Sequence, residues 1–137
     1  MSKYGWIALI GLVGMVPLAQ AADYSYDAEH GEMVYEKTCG ACHKSDGQGL
    51  EGSFPPLAGN PVVTQDDATR QIKTALFGKQ GPLTVNGVDY NGFMPPFGGN
   101  LSDRDAADLI NYERSSWGND GRHVTPDEVA DVRAAGE

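Results

Sequence analysis

The sequence predicts an all-α domain of three to five helices, interrupted by one small β-hairpin. Three observations carry this. Apolar residues recur at three- and four-residue steps near both ends of the chain, an Asn-Gly turn signal lies between them, and Cys39-Gly40-Ala41-Cys42-His43 places two thiols and an imidazole on one helical stretch. Cysteines two residues apart can add across the two vinyl groups of a haem, leaving His43 beneath the iron. The motif therefore predicts one haem c, covalently attached, as the nucleus around which the helices close. At 137 residues there is room for one small domain.

Lys3 precedes an apolar run from Trp6 to Leu18, and Ala19-Gln20-Ala21 is a small-x-small site. Residues 1–21 are predicted to be a signal peptide cut before Ala22, leaving 22–137 as the domain, with a short helical tail from about residue 119. The alternative is a retained membrane anchor. Its apolar part spans only about 13 residues, broken by Gly11, Gly14 and Pro17, against the roughly 20 that a spanning helix needs. Export agrees with the cysteine motif, because haem c is attached outside the cytoplasm, in a Gram-negative cell in the periplasm.

After a polar lead-in at 23–27, Ala28 to Cys42 carries Gly31, Val34, Tyr35, Thr38 and Cys42 on one helical face. Gly31 and Tyr35, one turn apart, call for a second helix across them. Lys44 to Asn60 is a Gly- and Pro-rich loop, followed by a helix from about Gln65 to Phe77. A middle so rich in loop needs an apolar group to pack on, which a haem supplies. Leu83-Thr84-Val85 and Val88-Asp89-Tyr90 flank Asn86-Gly87, whose residues suit the positive φ of a type I′ turn. Ser102 caps a helix from Asp103 to about Trp117, with Asp105 at the third position of a capping box and Gly118 as the stop. Ala106, Leu109, Ile110 and Trp117 form its apolar stripe, with Tyr112 on the flank. Thr125-Pro126-Asp127-Glu128 starts a last short helix to about Ala134.

Other uses of the cysteines fit less well. Zinc needs a second pair of ligands at comparable spacing, and the other histidines, His30 and His123, lie far apart and singly. A redox dithiol sits after a strand, whereas a helix precedes Cys39; a structural disulfide is the remaining option. With His43 on one side of the iron, the other axial position falls to Met33, Met94, His30 or His123. Met33 shares the helix of the motif, on the side of Glu36 and Lys37, and cannot easily reach the opposite haem face. Met94 lies 51 residues beyond His43 in Gly92-Phe93-Met94-Pro95-Pro96-Phe97-Gly98, an irregular segment stiffened by prolines and walled by aromatics. It is the expected second ligand; His123 is expected to be solvated.

These features together resemble the class I cytochrome c family. The Gly31 and Tyr35 helix, Cys39 to His43, the Phe54-Pro55-Pro56-Leu57-Ala58-Gly59 loop, Met94-Pro95 and the Leu109 and Tyr112 helix stand in the family's order. The resemblance implies a cytochrome c fold with the β-hairpin just before the Met-ligand loop. It implies that the Pro55 carbonyl accepts the Nδ1 proton of His43 and that Leu57 packs on the haem. The Pro-Pro-Leu-Ala-Gly loop, the Val-Asn-Gly hairpin and the Ser-Ser-Trp-Gly-Asn helix end resemble a bacterial subgroup found as free cytochromes and as domains of dehydrogenases and oxidases. One departure is Glu113, beside Tyr112, where relatives often place an aliphatic residue.

The formal net charge is −9; without residues 1–21, nine basic side chains face nineteen acidic ones, giving −10. Nucleic acid is excluded as a partner on that ground. The acidity keeps an exported protein soluble, or steers it to a basic docking patch on a redox partner. His/Met ligation leaves iron six-coordinate in both oxidation states, which suits single-electron relay, and the neutral thioether favours the ferrous state. The expected function is a periplasmic electron carrier, not an enzyme by itself, between a dehydrogenase or quinol-oxidising complex and a terminal oxidase or reductase. The alternatives are a fixed electron-transfer subunit of a dehydrogenase complex, or a peroxidase or gas binder with an open sixth position. Redox proteins are the expected partners. A membrane enters only through partner complexes, unless the signal segment is retained.

Overall fold

The computed structural model describes residues 23–137. The predicted signal peptide lies outside the described residues. Helix α1 spans Ala28–Thr38, started by the Asp27 carboxylate, which accepts the His30 N–H at 3.0 Å. Cys39 then turns the backbone slightly out of line (φ −109°, ψ −33°), and α2, Gly40–His43, carries the rest of the cysteine motif. The single stretch predicted from Ala28 to Cys42 is thus two helices joined at Cys39, whose N–H still bonds the Tyr35 carbonyl at 2.7 Å.

The helix predicted from about Gln65 is replaced by two, α3 over Pro61–Thr64 and α4 over Thr69–Phe77. The break is made by side chains from far along the chain. Arg114 Nη2 donates to the Gln65 carbonyl at 2.6 Å and Arg122 Nε to that of Asp66 at 3.3 Å, so both oxygens are taken by side chains, and Gln65 is extended (φ −68°, ψ 153°). Asn60 caps α3 by accepting the Val62 N–H at 3.0 Å.

Strands β1 (Lys79–Val85) and β2 (Val88–Met94) form the hairpin in a register that runs from Val85 opposite Val88 to Lys79 opposite Met94. Asn86 and Gly87 hold φ of 51° and 81°, the left-handed pair that a type I′ turn demands. The strands run past Leu83 and Tyr90, where the sequence reading stops them. Pro82 does not end β1, because in a two-stranded sheet each strand is an edge and a missing N–H can face outward. Gly92, Phe93 and Met94, expected in an irregular segment, therefore close β2.

Helix α5 spans Asp103–Ser115 and α6 spans Pro126–Ala135, each opened by a complete capping box, Ser102 with Asp105 and Thr125 with Glu128. α5 stops two residues short of Trp117, where the chain goes left-handed at Trp117 (φ 54°) and Gly118 (φ 81°). Counting the four-residue α2 and α3, the described residues hold six helical segments, one beyond the predicted range; four are nine residues or longer.

α1 and α5 cross where Gly31 meets Asp108 and Tyr112. A Cβ at Gly31 would overlap the Asp108 carbonyl and stand 3.0 Å from Tyr112 Cβ, so only glycine lets the backbones approach this closely. Tyr35 packs there with its ring centroid 5.3 Å from that of Tyr112 and 5.1 Å from that of Trp117. Ala106, Leu109 and Ile110 of α5 join Val34, Ile72, Leu76, Val124 and Val129 in one core. The lead-in is tied to the same crossing, with the Tyr24 hydroxyl donating to Asp108 Oδ1 at 2.7 Å.

Candidate haem site

The cysteine motif sits where α1 gives way to α2, so one thiol faces the core and the other faces out. Cys39 is buried, Cys42 is exposed, and both are free thiols. His43 is buried on the last turn of α2, and its Nδ1 lies 2.8 Å from the Pro55 carbonyl oxygen. That bond makes Nδ1 the protonated nitrogen and leaves Nε2 with its lone pair. Burial pushes the imidazole pKa below its usual value, against the raising effect of the Pro55 bond, so the ring is neutral at physiological pH.

The loop that presents Pro55 is fixed from three sides. His43 accepts the Gly49 N–H at 2.9 Å, Gly47 accepts the Leu57 N–H at 2.8 Å, and Leu50 and Phe54 pair as an isolated bridge. Asn119, beyond α5, locks the far end. Its Oδ1 accepts the Gly59 N–H at 2.8 Å, and its Nδ2 donates to the carbonyls of Leu57 at 3.1 Å and Glu113 at 2.8 Å. Trp117 Nε1 donates to Ser45 O at 2.9 Å and Tyr35 Oη to Lys44 O at 2.6 Å, tying the turn after His43 to the helix crossing. Leu57 is half-buried against the core.

Met94 ends β2, half-buried, in a segment anchored to the end of α4: Phe97 N donates to Ala75 O at 3.2 Å and Gly98 N to Leu76 O at 2.9 Å. A Cβ on Gly92 would lie 3.7 Å from Ser53 O, so the strand bearing Phe93 and Met94 abuts the loop bearing Phe54 and Pro55. The other candidate ligands are placed elsewhere. His30 has both ring nitrogens engaged, Nδ1 3.0 Å from Asp108 Oδ2 and Nε2 3.2 Å from Asp105 Oδ1. His123 is exposed, with Nε2 2.7 Å from Ser115 Oγ, and Met33 stands 45% exposed on α1. No cluster of three or more His, Cys, Asp or Glu side chains suited to a metal ion occurs among the described residues.

The sequence of residues 26–112 matches the family model described as cytochrome C oxidase, cbb3-type, subunit III. The chain is 36% identical over 132 residues to cytochrome c-552 of Thermus thermophilus, covering 90% of this chain and 82% of that protein. The chain belongs to the cytochrome c family. This cytochrome is also 40% identical over 107 residues to the cytochrome c subunit of the quinone alcohol dehydrogenase of Gluconobacter oxydans, covering 77% of this chain but 22% of that subunit's length. A match of 38% over 109 residues joins it to the gluconate 2-dehydrogenase cytochrome c subunit of Pantoea cypripedii, covering 78% of this chain and 24% of that one. Covalently bound haem c is the cofactor of the family, and electron transport is its chemistry.

The residues of this cytochrome fit such a group. Two free thiols and a neutral imidazole stand on one short stretch, and large apolar side chains are left uncovered on the loop and strand beside it: Leu50, Phe54 and Phe93, the last 67% exposed. An apolar macrocycle would cover surface that the protein alone leaves in water.

Sequence reasoning overlooked the polar residues that brace this site. Asn119 clamps the loop behind Pro55, and Gln71 and Glu113 meet inside the fold, Gln71 Nε2 donating to Glu113 Oε2 at 2.8 Å. Gln71 shares the buried stripe of α4 with Ile72, Ala75 and Leu76, and a polar residue on such a stripe was the available signal. Glu113 stands out in the sequence as a departure, but its buried pairing with Gln71 is not legible there.

Proposed function

We propose that this cytochrome is a periplasmic single-electron carrier, in which Cys39 and Cys42 would hold the haem through thioethers and His43 and Met94 would ligate its iron. The observation that carries this is the His43 Nδ1 bond to Pro55, which fixes the ring and presents Nε2 as the donor nitrogen. When bound, the haem supplies a one-electron couple between ferric and ferrous iron. The chain keeps that couple simple. His43 is buried and braced, and Met94 is held by β2 on one side and by the α4 anchorage of Phe97 and Gly98 on the other. Ligands fixed this way move little between oxidation states. With His43 and Met94 both holding the iron, no place would be left for oxygen or peroxide, so the chain would carry electrons and not act as an enzyme by itself.

Electrons would pass between a dehydrogenase or quinol-oxidising complex and a terminal oxidase or reductase. Residues 1–21 would direct export and be removed. Among the described residues no helix is long and apolar enough to cross a membrane. A second reading, a fixed electron-transfer subunit, is favoured by the likeness to the alcohol and gluconate dehydrogenase cytochrome subunits. Purification from the native source separates the two, since a fixed subunit emerges with a catalytic chain and a carrier alone.

Absorption spectra test the ligand assignment. The ferric protein is expected to show a weak far-red band from the methionine sulfur, and the ferrous protein to refuse carbon monoxide. Met94→Ala should abolish the band and admit carbon monoxide. An unchanged spectrum in that variant would sink the assignment of Met94.

A further inference from the structure

α5 buries two carboxylates, and the fold treats them oppositely. Asp108 is surrounded by Tyr24, the Asp27 N–H, His30 and Arg104. Glu113, only 7% exposed, has no cation partner among the described residues. It accepts a hydrogen bond from Gln71 Nε2 and otherwise lies against the Cys39 thiol. Gln71 cannot turn its amide round, because its Oε1 accepts from Arg114 Nη1 at 3.0 Å. Arg114 itself is directed away, onto the carbonyls of Val63, Gln65 and Arg122. The remaining group facing the carboxyl from α1 is Tyr35, whose hydroxyl is committed to Lys44 O. No charged group of α3 or α6 acts on it. Two neutral partners, the Gln71 amide and the Cys39 thiol, leave the ionised form of a buried carboxyl poorly compensated, and a thioether at Cys39 would remove the second of them.

We propose that Glu113 is a redox-linked proton site, taking up one proton from water when this cytochrome accepts an electron and releasing it when the electron leaves. The proposal rests on the reading above that Cys39 carries the haem. On reduction the donor protein supplies one electron, the iron goes from ferric to ferrous, and the Glu113 carboxylate plus one proton becomes the carboxylic acid; oxidation by the acceptor reverses both. The coupling is electrostatic. A carboxylate without a cation partner is favoured by the extra positive charge of the ferric state, and reduction removes it. Burial pushes the Glu113 carboxyl up to about 7, which sets its titration in the neutral range. An aliphatic residue at this place would carry no proton.

The test is the midpoint potential of the intact haem protein measured by spectroelectrochemistry between pH 5 and pH 9. The potential is expected to fall as pH rises through the neutral range, with a slope approaching one proton per electron, and to level off on either side. Glu113→Gln should remove that slope. Gln71→Met, which deletes the hydrogen bond favouring the charged form, should move the window to higher pH. Infrared difference spectra supply a readout independent of folding in the Gln variant: reduction of the parent at neutral pH should produce a protonated-carboxyl band. A parent slope that persists unchanged in Glu113→Gln, or the absence of that band, would overturn the proton site while leaving the carrier intact. Failure to find any reversible haem couple would instead remove the carrier reading, and the proton site with it.

Discussion

At the residue scale, buried polar side chains brace the fold at several points. Arg114 is buried with its guanidinium spread over three backbone carbonyls and Gln71, and no carboxylate pairs with it among the described residues. Glu113 is its neighbour in sequence and reaches the same Gln71 from the other side. Its pH dependence has an unusual sign. The folded-state pKa, about 7, lies above the ordinary 4.5 because burial penalises the charge. The folded protein therefore holds this proton more tightly than the unfolded chain does. The stability that this contributes is full below pH 4.5 and is lost as pH rises through about 7. Glu113→Gln should thus gain on the parent as pH rises, the difference in unfolding free energy changing by about 3 kcal/mol between pH 4 and pH 8. Denaturant titrations of both haem proteins at the two pH values measure it, and a pH-independent difference would refute it. The cysteine motif was legible residue by residue, and the resemblance pointed from His43 to Pro55. Gln71, Asn119 and Arg114 were not, because whether a polar side chain turns inward depends on carbonyls that only the folded loops bring within reach.

At the element scale, caps and turn residues predicted the helices and the hairpin well. The Ser102 and Thr125 boxes and the Asn86-Gly87 turn all form, since each rests on hydrogen bonds or dihedral angles within a few residues. The misplaced boundaries lie where distant groups intervene, as when Arg114 and Arg122 take the carbonyls of Gln65 and Asp66 and delay α4. The α1–α5 crossing shows local preference and packing in direct opposition. Gly31→Ala would raise helix propensity by up to about 1 kcal/mol. The added Cβ, however, would run into the backbone carbonyl of Asp108, which cannot swing aside as a side chain could. Overpacking of this kind costs about 1–3 kcal/mol, and against rigid backbone it outweighs the propensity gain, so a net loss of up to about 2 kcal/mol is expected. A denaturation midpoint equal to or above the parent's would show that the two helices can part without cost. Because α5 also carries Tyr112, and Trp117 follows it onto Ser45, the loosened crossing should expose the amides around Lys44 to faster hydrogen exchange.

At the scale of the whole molecule, a helical frame of α1, α4, α5 and α6 supports a less regular side made of α2, the loop to Asn60 and the hairpin. The sequence pointed to this division because the loop was too long and too rich in Gly and Pro to stand without an apolar partner. It left open how charge is spread over the surface. The exposed face of α1 carries Glu29, Glu32 and Glu36 in the approach to Cys39, and Asp46 and Glu51 are exposed on the loop after His43. Acidic groups this close to the haem attachment stretch favour a steering role over mere solubility, and small redox reagents can separate the two. Attraction between exposed charges is screened over about 10 Å at 0.1 M salt. Oxidation of the reduced cytochrome by a cationic complex should therefore slow several-fold as ionic strength rises from about 0.01 to 0.2 M, while an anionic complex speeds up. The intercept at high salt should converge for reagents of matched potential and size, since charge acts on encounter and not on the electron step. If the cationic reagent is indifferent to salt, the acidic groups lie too far from the point of electron exit to guide a partner. The net charge of −9 then serves solubility alone.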